Sequence, residues 1–302
     1  MKKLWAGAGM LIATLIWGTA FSAQSESTKY VDALLFVALR SIAGSAALCL
    51  VIAFFDLVKE KKITLWGNAV TLQAKKDLLI GGLLCGAVIT TASFTQQLGI
   101  QYVSAGKTGF LTALYIIIVP FLGLLLKKKT PFPLYIASII ALTGTYLLCG
   151  GIISIGKGEI FVILCAFLFA IHIMVIDHYA AKCDCIRLSC VQFMAAALLS
   201  FIASLLSGER WELTGIMHAL PYWLFCGLGS SAIAFTLQIV AQKYLHPVTA
   251  TLLMSLESVF AVAGGYLFLH EKLSGREFAG CAVILLGIIL AQIPWKGNHN
   301  QK

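Results

Sequence analysis

Residues 104–126, SAGKTGFLTALYIIIVPFLGLLL, decide the fold class of this chain. Lys107 is the only charged residue in the segment, and Lys127, Lys128 and Lys129 follow it directly. A helix needs roughly 20 apolar residues to cross the hydrocarbon core of a bilayer. The segment therefore predicts a membrane-spanning helix that ends at a cationic boundary.

Segments of this kind recur along all 302 residues, which are 60% hydrophobic and 12% charged. Soluble domains are roughly 45–50% apolar and 25% charged, so a soluble globule is excluded. Backbone groups in hydrocarbon must bond within their own segment, and the runs are about twice as long as barrel strands, so the spans are helices. The predicted fold class is all-α, a polytopic membrane protein with ten spans at 4–23, 31–55, 78–100, 104–126, 133–151, 158–177, 186–207, 218–242, 247–269 and 274–294.

The positive charge of the chain marks one side of the membrane. The 22 Lys and Arg exceed the 13 Asp and Glu by nine. Most of this positive excess lies in short clusters between apolar runs. Basic patches interleaved with exposed aromatics are missing, so we expect no nucleic-acid partner. With both termini placed in the cytoplasm, basic residues inside outnumber those outside by about three to one. The chain is thus predicted to be a multi-pass protein of a bacterial inner membrane, with the lipid bilayer around it and both termini cytoplasmic.

The amino-terminal segment has two interpretations. Lys2, Lys3, an apolar stretch and the small residues around Ala20 and Ala23 imitate a secretory signal. The alternative is a retained first helix. We favour the retained helix, because the rest of the chain is also membrane-embedded and Trp17 interrupts the aliphatic stretch.

The ten spans are predicted to be two copies of five. A displacement of about 142 residues places Gln96 on Gln238, and Leu111 and Leu114 on Leu253 and Leu256. Because five is an odd number, the second copy enters the membrane inverted, as in many secondary transporters. This predicts a first five-helix repeat at 1–151, a second, inverted repeat at 152–295 and a cytoplasmic tail at 296–302.

Short motifs occur in a fixed order along the chain: Trp17-Gly18, Arg40, the stretch Tyr102–Pro120, Leu256-Glu257 and His270–Leu273. In this order they resemble the drug/metabolite transporter superfamily, and within it the EamA family, over essentially the whole length. The resemblance implies ten helices in two inverted halves, a cavity lined by spans 1, 3, 4, 6, 8 and 9, and alternating-access transport of small metabolites, often export. Ser258 stands where a proline is common, which predicts a straighter ninth helix.

Charged residues within the spans are the first candidates for a site, because a charge at mid-membrane costs about 2.5–3.5 kcal/mol and needs a partner. Glu257 is either a proton-titrating or cation-contacting carboxylate, or a structural acid bonded to Ser255 or Tyr115. Arg40 either contacts an anionic substrate or joins helices, and its peripheral span favours the latter. Lys107 either reaches a substrate carboxylate or snorkels to the outer surface. His172 is either a proton relay or part of an interhelical hydrogen bond.

Glutamines and aromatics complete the predicted cavity. Gln97 and Gln101 are four residues apart and are predicted to share a helix face, as are Gln238 and Gln242. The two faces either line the cavity from opposite halves or act as interhelical hydrogen bonds, and we favour the lining. The aromatic candidates for the lining are Trp17, Phe21, Phe94 and Tyr115.

Other chemistry finds little support in the sequence. The segment Gly151–Lys157 has the spacing of a phosphate-binding loop, but Gly158 replaces the required Ser or Thr, so no nucleotide cofactor is expected. Cys183 and Cys185 alone make a poor metal site, and no metal is expected.

The favoured function is a secondary exporter of small polar metabolites, such as amino acids, with Glu257 as the candidate proton carrier. The alternatives are an intramembrane enzyme using Glu257 and His172, and a passive channel or sensor. Substrate, direction, coupling ion and oligomeric state are left open.

Overall fold

The computed structural model describes residues 1–127, 130–148, 156–269 and 274–293, and every regular element in these ranges is a helix. Lys128, Lys129, the His270–Leu273 motif and the tail 296–302 lie outside the described residues. In chain order the helices are α1 Lys2–Ser27, α2 Ala33–Glu60, α3 Leu72–Gly99, α4 Ala105–Thr112, α5 Tyr115–Leu125, α6 Phe132–Leu148, α7 Lys157–Tyr179, α8 Cys185–Ser207, α9 Leu213–His218, α10 Leu220–Phe225, a π-helix Cys226–Ala234, α11 Phe235–Gln242, α12 Pro247–Met254, α13 Leu256–Leu269 and α14 Gly275–Gln292.

Seven stretches in the described ranges are long and apolar enough to cross a membrane, and two shorter apolar helices, Phe132–Leu147 and Pro247–Ala261, accompany them. Their outward faces carry large apolar side chains. On α2, for example, Leu50 and Phe54 are 73% and 62% exposed. Such surfaces are stable only against lipid tails. The prediction of an all-α polytopic membrane protein is confirmed.

Helix boundaries follow local capping. Thr71 Oγ1 accepts a hydrogen bond from the backbone N–H of Ala74 at 3.1 Å, so α3 begins at Leu72 and not at the predicted residue 78. Asp184 caps α8 by accepting bonds from the N–H groups of Ile186 and Arg187. These side chains satisfy N–H groups that the first turn of a helix leaves unpaired.

The fourth and ninth predicted spans are interrupted at matching places. The fourth consists of α4 and α5, which are separated at Ala113 and Leu114, and the ninth consists of α12 and α13, which are separated at Ser255. The ninth helix is therefore interrupted even without the proline. At both points the backbone makes i→i+3 bonds, from Ile116 N to Ala113 O and from Ser258 N to Ser255 O. Such bonds tighten the turn and interrupt the regular hydrogen-bond pattern of the α-helix.

The eighth predicted span, 218–242, combines α10, the π-helix and α11. The π-helix lies against α2. A Cβ on Gly227 would lie 2.6 Å from the Cβ of Ala43 and 2.9 Å from the carbonyl oxygen of Arg40. Only glycine permits this approach, and it brings the polar turn of the π-helix close to Arg40.

Helices α6 and α14 make reciprocal contacts. A Cβ on Gly144 would lie 2.6 Å from the backbone N of Ile284, and one on Gly287 would lie 3.0 Å from the backbone N of Ala141. Positions 144 and 287, and positions 141 and 284, are both 143 residues apart. Contacts in which each side repeats the other are typical of two elements related by a two-fold axis.

Helices α2 and α8 are joined at one end by an ion pair, and the other end of α2 is bonded to a residue that follows α8. The Arg187 guanidinium donates to both carboxylate oxygens of Asp56, at 2.6 and 2.7 Å. At the opposite end, the Glu209 carboxylate accepts bonds from the backbone N–H groups of Leu34 and Leu35, at 2.9 and 2.7 Å. The two contacts fix the position of α2, and therefore that of Arg40.

We expect Asp56→Asn to lower the free energy of unfolding by about 2 kcal/mol, because a hydrogen bond to a charged group at a site of low exposure is lost. The Asp56 and Arg187 side chains are only 9% and 10% exposed. Thermal unfolding of purified protein in detergent measures the loss. Glu26→Gln is the matched control, since the exposed Lys29–Glu26 pair contributes little. An equal loss in both variants would contradict the proposed role of the Asp56 contact.

Candidate functional site

A cavity lies where α1, α2, α3, α7, the π-helix, α11 and the two interrupted spans meet. Its walls combine aromatic rings with a small number of polar and charged groups. Binding sites for small molecules usually have this composition. The lining residues are Trp17, Phe21, Gln24, Arg40, Ser93, Gln96, Thr112, Tyr115, Phe169, Ser230, Phe235, Met254 and Glu257.

Glu257 and Tyr115 meet at the cavity wall. The Tyr115 hydroxyl donates to Glu257 Oε1 at 2.8 Å, and the two positions are 142 residues apart. Both side chains are buried. Each stands at the beginning of the helix that follows an interruption, α5 for Tyr115 and α13 for Glu257. The amino-terminal turn of α13 carries partial positive charge, which favours a carboxylate at this position.

Arg40 is buried and approaches the cavity from α2. Its Nη2 donates to Ser230 Oγ at 2.7 Å, and its Nε donates to Ser231 Oγ at 3.2 Å. No ion pair within 4 Å joins Arg40 to Glu257 or to another acid in the described ranges. Arg40 therefore joins α2 to the π-helix and also leaves a cation at the cavity wall.

Phe235, the first residue after the π-helix, is the centre of an aromatic cluster. Its ring centroid lies 4.9 Å from that of Trp17, 5.5 Å from that of Phe193 and 6.4 Å from that of Phe169. The His172 ring is 5.8 Å away. The Phe169 and Phe235 rings are stacked and the other pairs are edge-on, and both arrangements are favourable for aromatic rings. Trp17, Phe169 and Phe235 form an apolar part of the cavity wall.

Two polar atoms at the cavity are buried without a hydrogen-bond partner. They are the indole Nε1 of Trp17, which is a donor, and the amide Oε1 of Gln24, which is an acceptor. Trp17, Phe21 and Gln24 lie four and three residues apart and share one face of α1. Buried polar groups are normally paired, so this face is suited to hydrogen-bond a ligand.

The glutamines of the third span differ from the prediction. Gln97 Nε2 donates to Ser27 Oγ and to the carbonyl of Gln24, both at 3.1 Å, and so ties α3 to α1. Gln101 is exposed and follows the end of α3 at Gly99, so it does not share a helix face with Gln97. Neither residue lines the cavity, because Gln97 is bonded to α1 and α3 ends before Gln101.

The glutamines of the eighth span are bonded to each other and to α7. Gln238 Nε2 donates to Gln242 Oε1 at 2.9 Å, and Gln242 Nε2 donates to the carbonyl of Ile173 at 3.0 Å. Both lie outside the cavity lining, so the expected pair of opposed glutamine faces is not found there. Gln96 lines the cavity instead, held by a 3.2 Å bond to Thr112.

Lys107 and His172 have partners away from the cavity. Lys107 Nζ and Glu159 Oε1 form an ion pair of 2.5 Å between α4 and the first turn of α7. His172, fully buried, shares a 2.9 Å hydrogen bond with Gln192 on α8. These positions match the interhelical bond considered for His172, and neither side chain lines the cavity.

Several lining residues were not among the predicted ones. Gln24 had a signal, since it lies seven residues after Trp17 on the same helical face. No sequence signal pointed to Ser230, because its position at the cavity depends on the π-helix. The same holds for Phe235, whose role as the centre of the cluster depends on the packing of four helices, α1, α7, α8 and α11.

Cys183 precedes α8, and Cys185 is its first residue. The described residues contain no group of three His, Cys, Asp or Glu side chains placed to hold a metal ion. Burial raises the pKa of the Cys183 thiol to about 11.

Comparison with known proteins gives consistent results. The profile of the EamA-like transporter family matches residues 4–150 and 156–292. An uncharacterized transporter of Archaeoglobus fulgidus is 25% identical over 97% of this chain and 87% of its own length. The uncharacterized transporter YoaV of Bacillus subtilis is 23% identical over 93% and 94%. A solved crystal structure superposes with a TM-score of 0.74 at 17% identity, covering 95% of this chain and 96% of the other.

We expect Tyr115→Phe to reduce the free energy of unfolding by about 2 kcal/mol, because the buried Glu257 carboxyl loses its hydroxyl donor. Tyr102→Phe is the control, since Tyr102 is 59% exposed and its replacement should change stability by less than about 0.5 kcal/mol. Thermal unfolding in detergent compares the two variants. If Tyr115→Phe is as stable as Tyr102→Phe, the hydrogen bond does not stabilise the site.

Proposed function

The chain belongs to the EamA-like transporter family, and from this premise we propose that it is a secondary transporter in which two inverted halves alternate around the central cavity. The single observation that carries the proposal is the pair Tyr115 and Glu257, which are 142 residues apart and hydrogen-bonded at the cavity wall. A site at the junction of two repeats is typical of such transporters.

Internal symmetry supports the inverted repeat. Helix α4, Ala105–Thr112, and helix α12, Pro247–Met254, have the same length and begin 142 residues apart. The reciprocal glycine contacts of α6 and α14 have nearly the same displacement. We assign residues 1–151 and 152–295 to the two repeats of five spans each. An odd number of spans per repeat inverts the second copy in the membrane.

The cavity chemistry favours a small zwitterion, such as an amino acid or a related compound. Glu257 presents an acid, and Arg40 presents a cation that no acid in the described ranges neutralises within 4 Å. An ammonium group fits beside Glu257 and the aromatic rings, which also attract cations. A carboxylate fits beside Arg40, and the unpaired atoms of Trp17 and Gln24 are free to orient the ligand.

We propose export coupled to protons. A carboxylate in a protein interior is expensive unless it is paired or protonated, so Glu257 can exchange a proton for a cationic substrate group. Binding of the ammonium and binding of the proton then compete for one site. The inward proton gradient of a bacterial membrane would drive the substrate outward.

Purified protein in liposomes with an internal pH-sensitive dye tests the coupling. Amino acids, nucleosides and quaternary amines are added in turn, and proton movement is followed with and without an imposed pH gradient. We expect an amino-acid-like compound to move protons in the wild type. Glu257→Gln should abolish the dependence on pH, because the amide does not titrate, whereas the surface variant Glu26→Gln should behave as wild type. Unchanged flux with unchanged pH dependence in Glu257→Gln would eliminate the proton-coupling proposal.

We propose that both termini are cytoplasmic, in the inner membrane of a bacterium, because the basic clusters then lie inside. A variant without the nine cysteines, carrying one new cysteine, tests this orientation. A membrane-impermeant maleimide should label Lys29→Cys in intact spheroplasts and Lys62→Cys only after lysis. The reverse pattern would invert the proposed topology.

A further inference from the structure

A second hollow lies between α1 and α11, away from the central cavity. We call it the lateral groove. The residues that define it here are Lys2, Trp5, Ala6, Gly9, Leu237 and Tyr244. From its composition and position we propose that the lateral groove binds one anionic phospholipid, with an acyl chain along the groove and the headgroup at Lys2.

The body of the groove is apolar and lies at membrane depth. Both walls belong to stretches long and apolar enough to cross a membrane, Lys2–Ser27 and Leu220–Gln242. The surrounding solvent is therefore lipid, and an acyl chain is the available occupant. A Cβ at Gly9 would make an ordinary van der Waals contact with Leu237 Cδ2 at 3.5 Å, so a side chain at this position would point into the groove. A larger side chain at Gly9 would occupy the space that the chain needs.

The mouth of the groove carries positive charge. Lys2 Nζ lies 5.9 Å from the centroid of the Tyr244 ring, which holds the ammonium over the opening. The first turn of α1 contains no acidic residue, and no acid in the described ranges lies within 4 Å of Lys2. Trp5 is 75% exposed beside it, as aromatic residues at headgroup depth often are. A phosphate group complements this charge, and basic pockets between membrane helices bind anionic headgroups.

The position of the groove connects it to the central cavity. Its walls, α1 and α11, also carry Trp17 and Phe235, whose rings are in contact at 4.9 Å. A lipid that spans both helices favours the arrangement in which they are packed together. Bound anionic lipid is therefore expected to stabilise the described conformation, and this effect does not depend on the substrate.

The proposal is tested by measuring Tm of the purified protein in dodecyl maltoside. The protein is titrated with phosphatidylglycerol or, separately, with phosphatidylcholine that has the same acyl chains. We expect phosphatidylglycerol to raise Tm at lower concentration. Lys2→Gln should weaken its binding by about fivefold, the factor that one Lys contributes near an anionic headgroup. Lys3→Gln, which removes the same charge from a residue outside the groove lining, should have a smaller effect. Equal shifts with the two lipids, or equal losses in the two variants, would overturn the proposal.

A second pair of variants tests the apolar part. Gly9→Leu fills the groove and should abolish the lipid-dependent shift, whereas Gly7→Leu adds the same side chain to α1 where no atom lies within 4 Å of the new Cβ. Both changes raise helix propensity equally. A difference between the two variants in the lipid-dependent shift of Tm is therefore due to the groove. Native mass spectrometry counts the lipid that remains bound. Retained phosphatidylglycerol in Gly9→Leu would overturn the assignment of the acyl chain.

Discussion

Every backbone N–H and C=O group inside a bilayer must find its partner within the protein, and the described structure follows from this constraint. It makes the spans helical, and it explains why the regular backbone hydrogen bonding of the helices changes only where other helices surround it. The interruptions at Ala113 and Leu114 and at Ser255, and the π-helix, all lie beside the central cavity. Non-helical or widened backbone is tolerated there because surrounding helices shield it from lipid. The same places provide the polar groups that a ligand requires.

Close packing, more than ionic contact, holds the bundle together. Lipid tails are as apolar as leucine, so helices associate through small residues that let backbones approach. Gly144 and Gly287 do this for α6 and α14, and Gly227 does it for α2 and the π-helix. Ionic contacts such as Asp56–Arg187 and Lys107–Glu159 lie near helix ends and set how the helices are aligned. Arg40 and Glu257, the two charges at the cavity, remain unpaired with each other.

The candidate site was predictable in part. Glu257, Tyr115 and Trp17 were predicted cavity residues, because charged and polar aromatic side chains are costly within a span, and all three line the cavity. Arg40 was expected to join helices; it bonds to the π-helix and also lines the cavity. The glutamines show the limit of this reasoning. Gln97, Gln101, Gln238 and Gln242 have the same chemistry as Gln24 and Gln96, yet they bond to one another or to neighbouring helices, or lie beyond a helix end. Chemical type does not reveal which neighbour a side chain meets.

By itself the sequence determined that this chain is a bundle of membrane helices in a transporter family, because apolar length, charge asymmetry and ordered motifs are properties of single segments. It also indicated that residues near 115 and 257 occupy equivalent positions. Only the tertiary structure decided that these two positions meet in a 2.8 Å hydrogen bond and that Arg40 binds the serines of a π-helix. The physical reason is that such contacts depend on helix rotation, helix ends and local turns, which are set by packing between segments distant in sequence.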